Sequence, residues 1–382
     1  MSKKTAKRVA SRSLQLTRRS LLKGLGGLVA TGAASSLVGT GRAWSASKEI
    51  SIGTFGPSHC SIPMVSAKLR GFFKNEKVNI TLVNYPEMPL IAKDLIGGKL
   101  DFGQLIVPLA FAIHAGTSPL SKERVPLVIP QIAGTNGAAL MVGSKSAIKN
   151  PADFKGRIIS NHSKLSVHFL LNMMFLERHG LSFEKDVTFK VVELDHAIDA
   201  LKSGEVDSFV MPEPKDAAIE LAGVGTPLML SKYLWPNHPC CALVARRDSF
   251  ERDRELSTAL VRMTTKAGLL ANEPSSREST IDLLRTSSDY RYDKVPKPVL
   301  MKALVPGRSD FYPFPFQSTA RAIIDIMKRY QLLPAGIDSK AFAREVFLSE
   351  LSRTLIRELG SRPPESDFRE EKVVGQVMTF AD

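Results

Sequence analysis

The chain is predicted to be α/β, with two similar lobes, each built on a doubly wound sheet, facing one another across a cleft. Two observations carry this reading. A strand with a polar loop at its carboxyl end, a helix and then a Gly-x-x-Asp element occurs twice, and Asp101 and Asp207 lie 106 residues apart, as do the strand openings at Ile52 and Ile158. At 382 residues the chain is also longer than one core usually serves. In open α/β sheets the crevice at the carboxyl ends of the strands is where ligands bind.

The elements follow in order. Residues 50–55 alternate and begin with β-branched types, which predicts a strand. Ile62, Val65 and Leu69 fall at helical spacing over 61–70, with Pro63 in the first turn and Gly71 as the stop. Strands are expected at 78–84 and 102–106, with helices at 90–96 and 108–115. The apolar runs 125–132 and 138–142 suit a buried strand pair. The second unit starts at Pro151 and repeats the order: strand 157–160, helix 166–180, strand 187–193, helix 196–202 and strand 208–211. Residues 240–246 read as a returning strand, and 248–360 as mostly helical with Pro-rich interruptions. Lobe one is then 47–143 plus 244–360, lobe two is 144–243, and 361–382 is a surface tail. Two crossing strands form a hinge on which the lobes can close over a solute.

Residues 1–46 have the character of an address. They hold nine Lys and Arg and no acid, with the pair Arg18-Arg19, a short Gly-rich apolar stretch from Leu25 to Val38, and small residues around Ser45-Ala46. This predicts a cleaved twin-arginine signal, read by the twin-arginine translocase, and a periplasmic mature protein. The apolar stretch is too short to span a bilayer, and no Cys follows it to take a lipid anchor. Removing those nine charges from the net +14 leaves +5, with no block of like charge for a nucleic-acid footprint. Nucleic acid is therefore not an expected partner.

From Ile50 to Gly360 the chain resembles the substrate-binding proteins of ABC importers for nitrate, bicarbonate, sulfonates and taurine, closest to the nitrate/bicarbonate branch. The residues that carry the resemblance are Ile50 to Gly53, Gly71 to Lys74, Gly98 to Asp101, Asn136-Gly137, His168, Ser203 to Asp207, Glu213-Pro214 and Leu234 to Pro239. The resemblance implies a type II periplasmic-binding-protein fold, two doubly wound sheets joined by a two-strand hinge. It also implies delivery of a small solute to an ABC permease in the inner membrane, no catalysis and no required cofactor. The family's nitrate pocket uses an aromatic, a Gln, a His and a Lys. Those positions fall on Met88, Ala138, His168 and Cys241, with Cys240 in place of the preceding acid. One of the four is kept, so the resemblance implies the fold and transport role, while the changed positions count against nitrate or bicarbonate as the ligand.

The pocket chemistry points to soft donors. Expected ligand-binding residues are His59, Cys60, Met88, Asn136, His168, Glu213, Cys240 and Cys241, with Cys60, Cys240 and Cys241 as a candidate soft-metal or thiophilic set. Met64 and His238 come from neighbouring cleft segments. Three readings of the cysteines stand: a disulfide from Cys60 to Cys240 or Cys241, small buried hydrophobes, or a thiol-lined ligand site. Successive strand residues point to opposite faces, so Cys240 and Cys241 share a ligand only if the strand bulges. His168 sits in the first turn of its helix, where an anion is favoured and the ring stays neutral. Glu213 fixes the solute or a cation, or binds backbone amides. Asp101 and Asp207 are expected to tie down turns at strand starts.

Three functions from different classes follow. The first is a periplasmic solute receptor for an ABC importer. The second is a metal carrier or sensor-coupled receptor that docks on another partner. The third is an enzyme resembling the pyrimidine-forming enzymes of thiamine synthesis, with His59 and Cys60 as base and nucleophile.

Overall fold

The computed structural model describes residues 49–76 and 78–381; the expected signal segment lies outside the described residues. The first sheet contains β1 (Glu49–Thr54), β2 (Asn79–Asn84), β3 (Phe102–Ile106), β4 (Leu127–Asn136), β10 (Pro239–Arg246) and the short β11 (Ser309–Asp310). The second contains β5 (Ala138–Gly143), β6 (Ile158–Asn161), β7 (Thr188–Val191), β8 (Ser208–Pro212) and β9 (Gly225–Leu230).

The internal repeat has a structural counterpart. The first sheet runs β2-β1-β3-β10 and the second β7-β6-β8-β5, each with three parallel strands followed by one antiparallel strand. The repeated acids do the same job in both halves. Asp101 accepts from the Ser51 amide at 2.9 Å, and Asp207 accepts from the Ile158 amide at 2.9 Å. Each carboxylate stands just before a strand of its own sheet and accepts from an amide of the neighbouring parallel strand, which ties two strands together where a turn was expected to be held. Helices cover the sheets, and the last third of the chain packs mainly on the first lobe, as in helix Arg254–Asn272 against helix Ile62–Leu69. No helix among the described residues is long and apolar enough to cross a membrane.

The two apolar runs expected to pair do not. Strand β4 joins the first sheet and β5 the second. Asn136 (φ 57) and Gly137 (φ 75) separate them in left-handed conformations, which turn the chain from one sheet into the other. The crossover therefore falls at 136–138 and not near 143. The return lies between Leu230 and Pro239 and not near 243, because β10 belongs to the first sheet from its first residue. The two crossings are stitched together. The Asn136 amide donates to the His238 carbonyl at 2.9 Å, and the Asn237 amide donates to Asn136 Oδ1 at 2.8 Å.

The C-terminal segment is not a loose surface tail. It folds into a hairpin of β12 (Glu371–Val373) and β13 (Gln376–Met378), and Val373 and Val374 are buried. Trp235 Nε1 donates to Glu371 at 2.8 Å, Ser318 Oγ donates to it at 2.9 Å, and Thr319 and Arg369 complete its shell. A charged, turn-rich composition hid a buried carboxylate that fastens the chain end to the hinge segment around Trp235.

Candidate functional site

A cavity of about 390 Å³ opens between the two sheets. Its wall is built where sequence and topology bring strand ends together. Phe55, Ser58 and Cys60 follow β1, Pro86 to Pro89 follow β2, His162 and Ser163 follow β6, and Cys240 and Cys241 open β10. His168 enters from the first turn of helix Val167–Arg178, which Ser166 caps by accepting from the Phe169 amide at 3.1 Å. Both lobes therefore contribute to one hollow at the carboxyl ends of their parallel strands.

The three thiols converge. The register of β10 against β4 slips on both sides of Cys241, which is a bulge. It turns two neighbouring side chains toward one place, and Cys240 Sγ and Cys241 Sγ lie 3.9 Å apart. All three cysteines are free thiols, so the disulfide reading does not describe this state. Cys60 lies on the 3₁₀ turn His59–Ser61, whose tight winding sets its Sγ 3.2 Å from His59 Nε2. Donor atoms of His59, Cys60 and Cys240 all lie within 4.8 Å of one another. Cys240 Sγ is also 3.8 Å from His168 Nε2.

Glycines make the room for this cluster. A Cβ on Gly137 would stand 2.1 Å from His59 Nε2, and one on Gly134 would stand 2.9 Å from Cys60 Sγ. Nδ1 of His59 faces the Glu213 carbonyl at 3.4 Å. With the proton there, the lone pair of Nε2 points at the sulfurs.

Burial keeps the imidazoles neutral. Desolvation pushes His59 down, His162 to about 4, His238 to about 3 and His168 well below the ordinary value. The thiols act as a unit. Burial, reinforced by hydrogen bonds to its two neighbours, raises Cys60. Hydrogen bonds from Cys240 and Cys60 hold Cys241 low, with His59 and Gln104 assisting. Cys240 is raised, first by its hydrogen bond with Cys241. Among the described residues no Lys or Arg lines the cavity, whereas Glu87, Glu193 and Asp195 stand at its rim.

Several expected site residues lie elsewhere. Glu213 is 1% exposed and does not line the cavity. One carboxylate oxygen pairs with Arg308 and the other accepts from the Ala217 amide at 3.0 Å. Its contribution to the site is its backbone carbonyl, which also accepts from the His59 amide at 3.2 Å. Asn136 belongs to the hinge, where its Nδ2 donates to Asp310 at 2.7 Å. Met64 packs in the core of the first lobe beside Ile52 and Phe102 and does not line the cavity. His238 lies behind the wall, its ring 6.4 Å from that of His168. Met88 does line the cavity, with its sulfur accepting from the Ile106 amide at 3.3 Å. Sequence reasoning missed His162, whose ring meets His168 edge-on at 5.4 Å. The repeat held the signal, since His162 follows β6 in the loop that corresponds to the one carrying His59 and Cys60 after β1.

The comparisons with known proteins agree with this architecture. The periplasmic nitrate-binding protein NrtA from Synechocystis PCC 6803 superposes with a TM-score of 0.77 at 18% identity, covering 87% of this chain and 95% of that one. Among curated sequences, the nitrate/nitrite binding protein NrtA of a Nostoc species is 23% identical over 63% of this chain and 57% of its own length. The bicarbonate transport ATP-binding protein CmpC of a Synechocystis species is 24% identical over 59% of this chain and 35% of its own. The chain thus spans between about a third and three fifths of these two curated relatives. The fold is the two-lobed type II periplasmic-binding-protein fold. The model of the NMT1-like family matches residues 45–285, more than half of the sequence, and the chain belongs to that family.

Proposed function

We propose that this protein is a periplasmic receptor that captures a small solute between its lobes and delivers it to an ABC permease in the inner membrane, after export through the twin-arginine translocase. The observation that carries the reading is the single hollow lined from both sheets and spanned by two stitched crossings. Such a layout lets a solute bridge the lobes and favour a closed form. The names of the relatives support an importer setting, and the expected signal segment supports the compartment. The wall argues against the family's anions as cargo, because among the described residues no Lys or Arg lines it to meet a buried oxyanion.

One observation favours a second reading, an enzyme. Cys60 Sγ lies 3.2 Å from His59 Nε2, within reach of a base for its nucleophile. Burial works against it, since Cys60 is 1% exposed and its thiol is pushed up instead of activated.

A thermal-shift panel tests the receptor reading. Nitrate, bicarbonate, cyanate, thiocyanate, sulfonates, arsenite, Cu(I) and Zn(II) are added singly to the reduced protein. At least one is expected to raise the melting temperature, because a ligand of the native state alone stabilises it. No responder would count against the receptor. Turnover lost in Cys60→Ser with solute affinity unchanged would favour the enzyme.

A further inference from the structure

We propose that the cargo is a thiophilic d10 metal ion, Cu(I) or Zn(II), gripped by Cys60, Cys240, Cys241 and His59. The inference deepens the receptor reading and rests on it for the ion's role as cargo.

The donor set comes first. Three sulfurs and one imidazole nitrogen suit both ions, which share a closed d shell and a preference for thiolate. Two sulfurs bound to one tetrahedral centre at about 2.3 Å each stand about 3.8 Å apart. The Cys240 and Cys241 sulfurs stand 3.9 Å apart. Their convergence depends on the bulge in β10, a distortion that a strand packed only for burial would not need.

The surroundings point the same way. Nδ1 of His59 is turned to the Glu213 carbonyl, the outer contact that fixes a metal-binding imidazole in its tautomer. His168 is 1% exposed and lines the cavity, and among the described residues neither its Nδ1 nor that of His162 has a partner. Buried imidazole nitrogens are seldom left so. These two rings line the hollow, His168 Nε2 lying 3.8 Å from Cys240 Sγ, and offer nitrogen lone pairs to an incoming cation. Glu87 and Glu193 at the rim favour entry of positive charge, while Asp195 beside them is paired with Lys215 at 2.8 Å. On binding, each thiol that becomes a ligand loses its proton to solvent, so uptake is accompanied by proton release.

The test uses the mature chain, purified under reductant without oxygen and stripped of metal. Zn(II) and Cu(I) are titrated separately against chromophoric chelators. The expected result is one ion per chain for at least one of the two, with alkylation of the three cysteines in the native protein slowed relative to the metal-free state. X-ray absorption should show a sulfur-dominated shell at about 2.3 Å. Cys240→Ser and His59→Ala should each weaken binding by roughly 100-fold, the upper end of what loss of even an outer-shell partner costs. Met64→Leu, in the core and away from the wall, should bind as wild type. If a ligand variant fails to fold, alkylation of the wild-type cysteines with and without metal gives the same answer. Unchanged thiol labelling at saturating metal, or variants that bind like wild type, would overturn the proposal. A melting-temperature rise with nitrate or a sulfonate and none with either metal would overturn it while leaving the receptor reading intact. No response to any of them would defeat both.

Discussion

Cys240 and Cys241 are neighbours in sequence on one strand, yet their sulfurs lie 3.9 Å apart on the same side. A regular strand would have sent them to opposite faces of the sheet. The double register slip against β4 removes that alternation and gathers both thiols with Cys60 at the inner end of the cleft.

The cradle around His59 should tolerate no side chain at position 137. Gly137→Ala places a methyl 2.1 Å from His59 Nε2 at a φ of 75. The backbone strain and the displaced ring together should cost at least about 2 kcal/mol. Urea unfolding measures the loss, and cysteine labelling in the native state should speed up because the His59 contact to Cys60 is broken.

Arg308 holds two acids of the second lobe, Glu213 and Glu220, against the first. Arg308→Met leaves the Glu213 carboxylate buried with one backbone donor. Breaking a buried pair in this way costs about 3–5 kcal/mol. The midpoint of chemical denaturation should fall accordingly, and Arg308→Met with Glu213→Leu should recover part of the loss.

Glu371 makes the same kind of prediction for the chain end. Glu371→Ala removes the acceptor of Trp235 Nε1, Ser318, Thr319 and Arg369 at one stroke. The expected destabilisation is about 3 kcal/mol or more. Trp235 is one of two tryptophans, the other being Trp44 in the expected signal segment. A shift in Trp235 emission in the mature chain should therefore report the loosened hairpin directly.

Acid should destabilise the fold earlier than carboxylates alone would. His162 and His114 are pushed down to about 4 and His238 to about 3, in each case first by burial. The unfolded chain takes up these protons near pH 6.5 and the folded chain does not. Their contribution is therefore complete above pH 6.5 and is lost as pH falls toward 4. Each group contributes a slope of up to about 1.4 kcal/mol per pH unit in that window. Stability measured by urea at pH 7, 6 and 5 should decline steeply, and His162→Asn with His238→Asn should flatten the decline.

The sequence made the repeat legible because its markers are local. Asp101 and Asp207 each stand just before a strand and bind an amide of the strand beside it, and such a role leaves a spacing that can be read. The helix starting near His168 was legible because its Ser166 cap and apolar spacing lie within one turn. What could not be read depended on partners far along the chain. The runs 125–132 and 138–142 look alike in composition, and only the turn at Asn136-Gly137 decides that they enter different sheets. Glu213 looked like a ligand because its partner, Arg308, lies 95 residues away. Met64 and Met88 were equally plausible by type, and packing alone placed one in the core and the other on the wall. The bulge that joins Cys240 to Cys241 leaves no local signature at all.

Closure of the two lobes over the thiol cluster can be measured by small-angle X-ray scattering of the reduced, metal-free mature chain. Zn(II) or Cu(I) is then added until the thermal-shift response saturates. The account predicts a smaller radius of gyration in the loaded protein and its return to the starting value when a chelator removes the ion. A radius that stays unchanged while the metal demonstrably binds would contradict it.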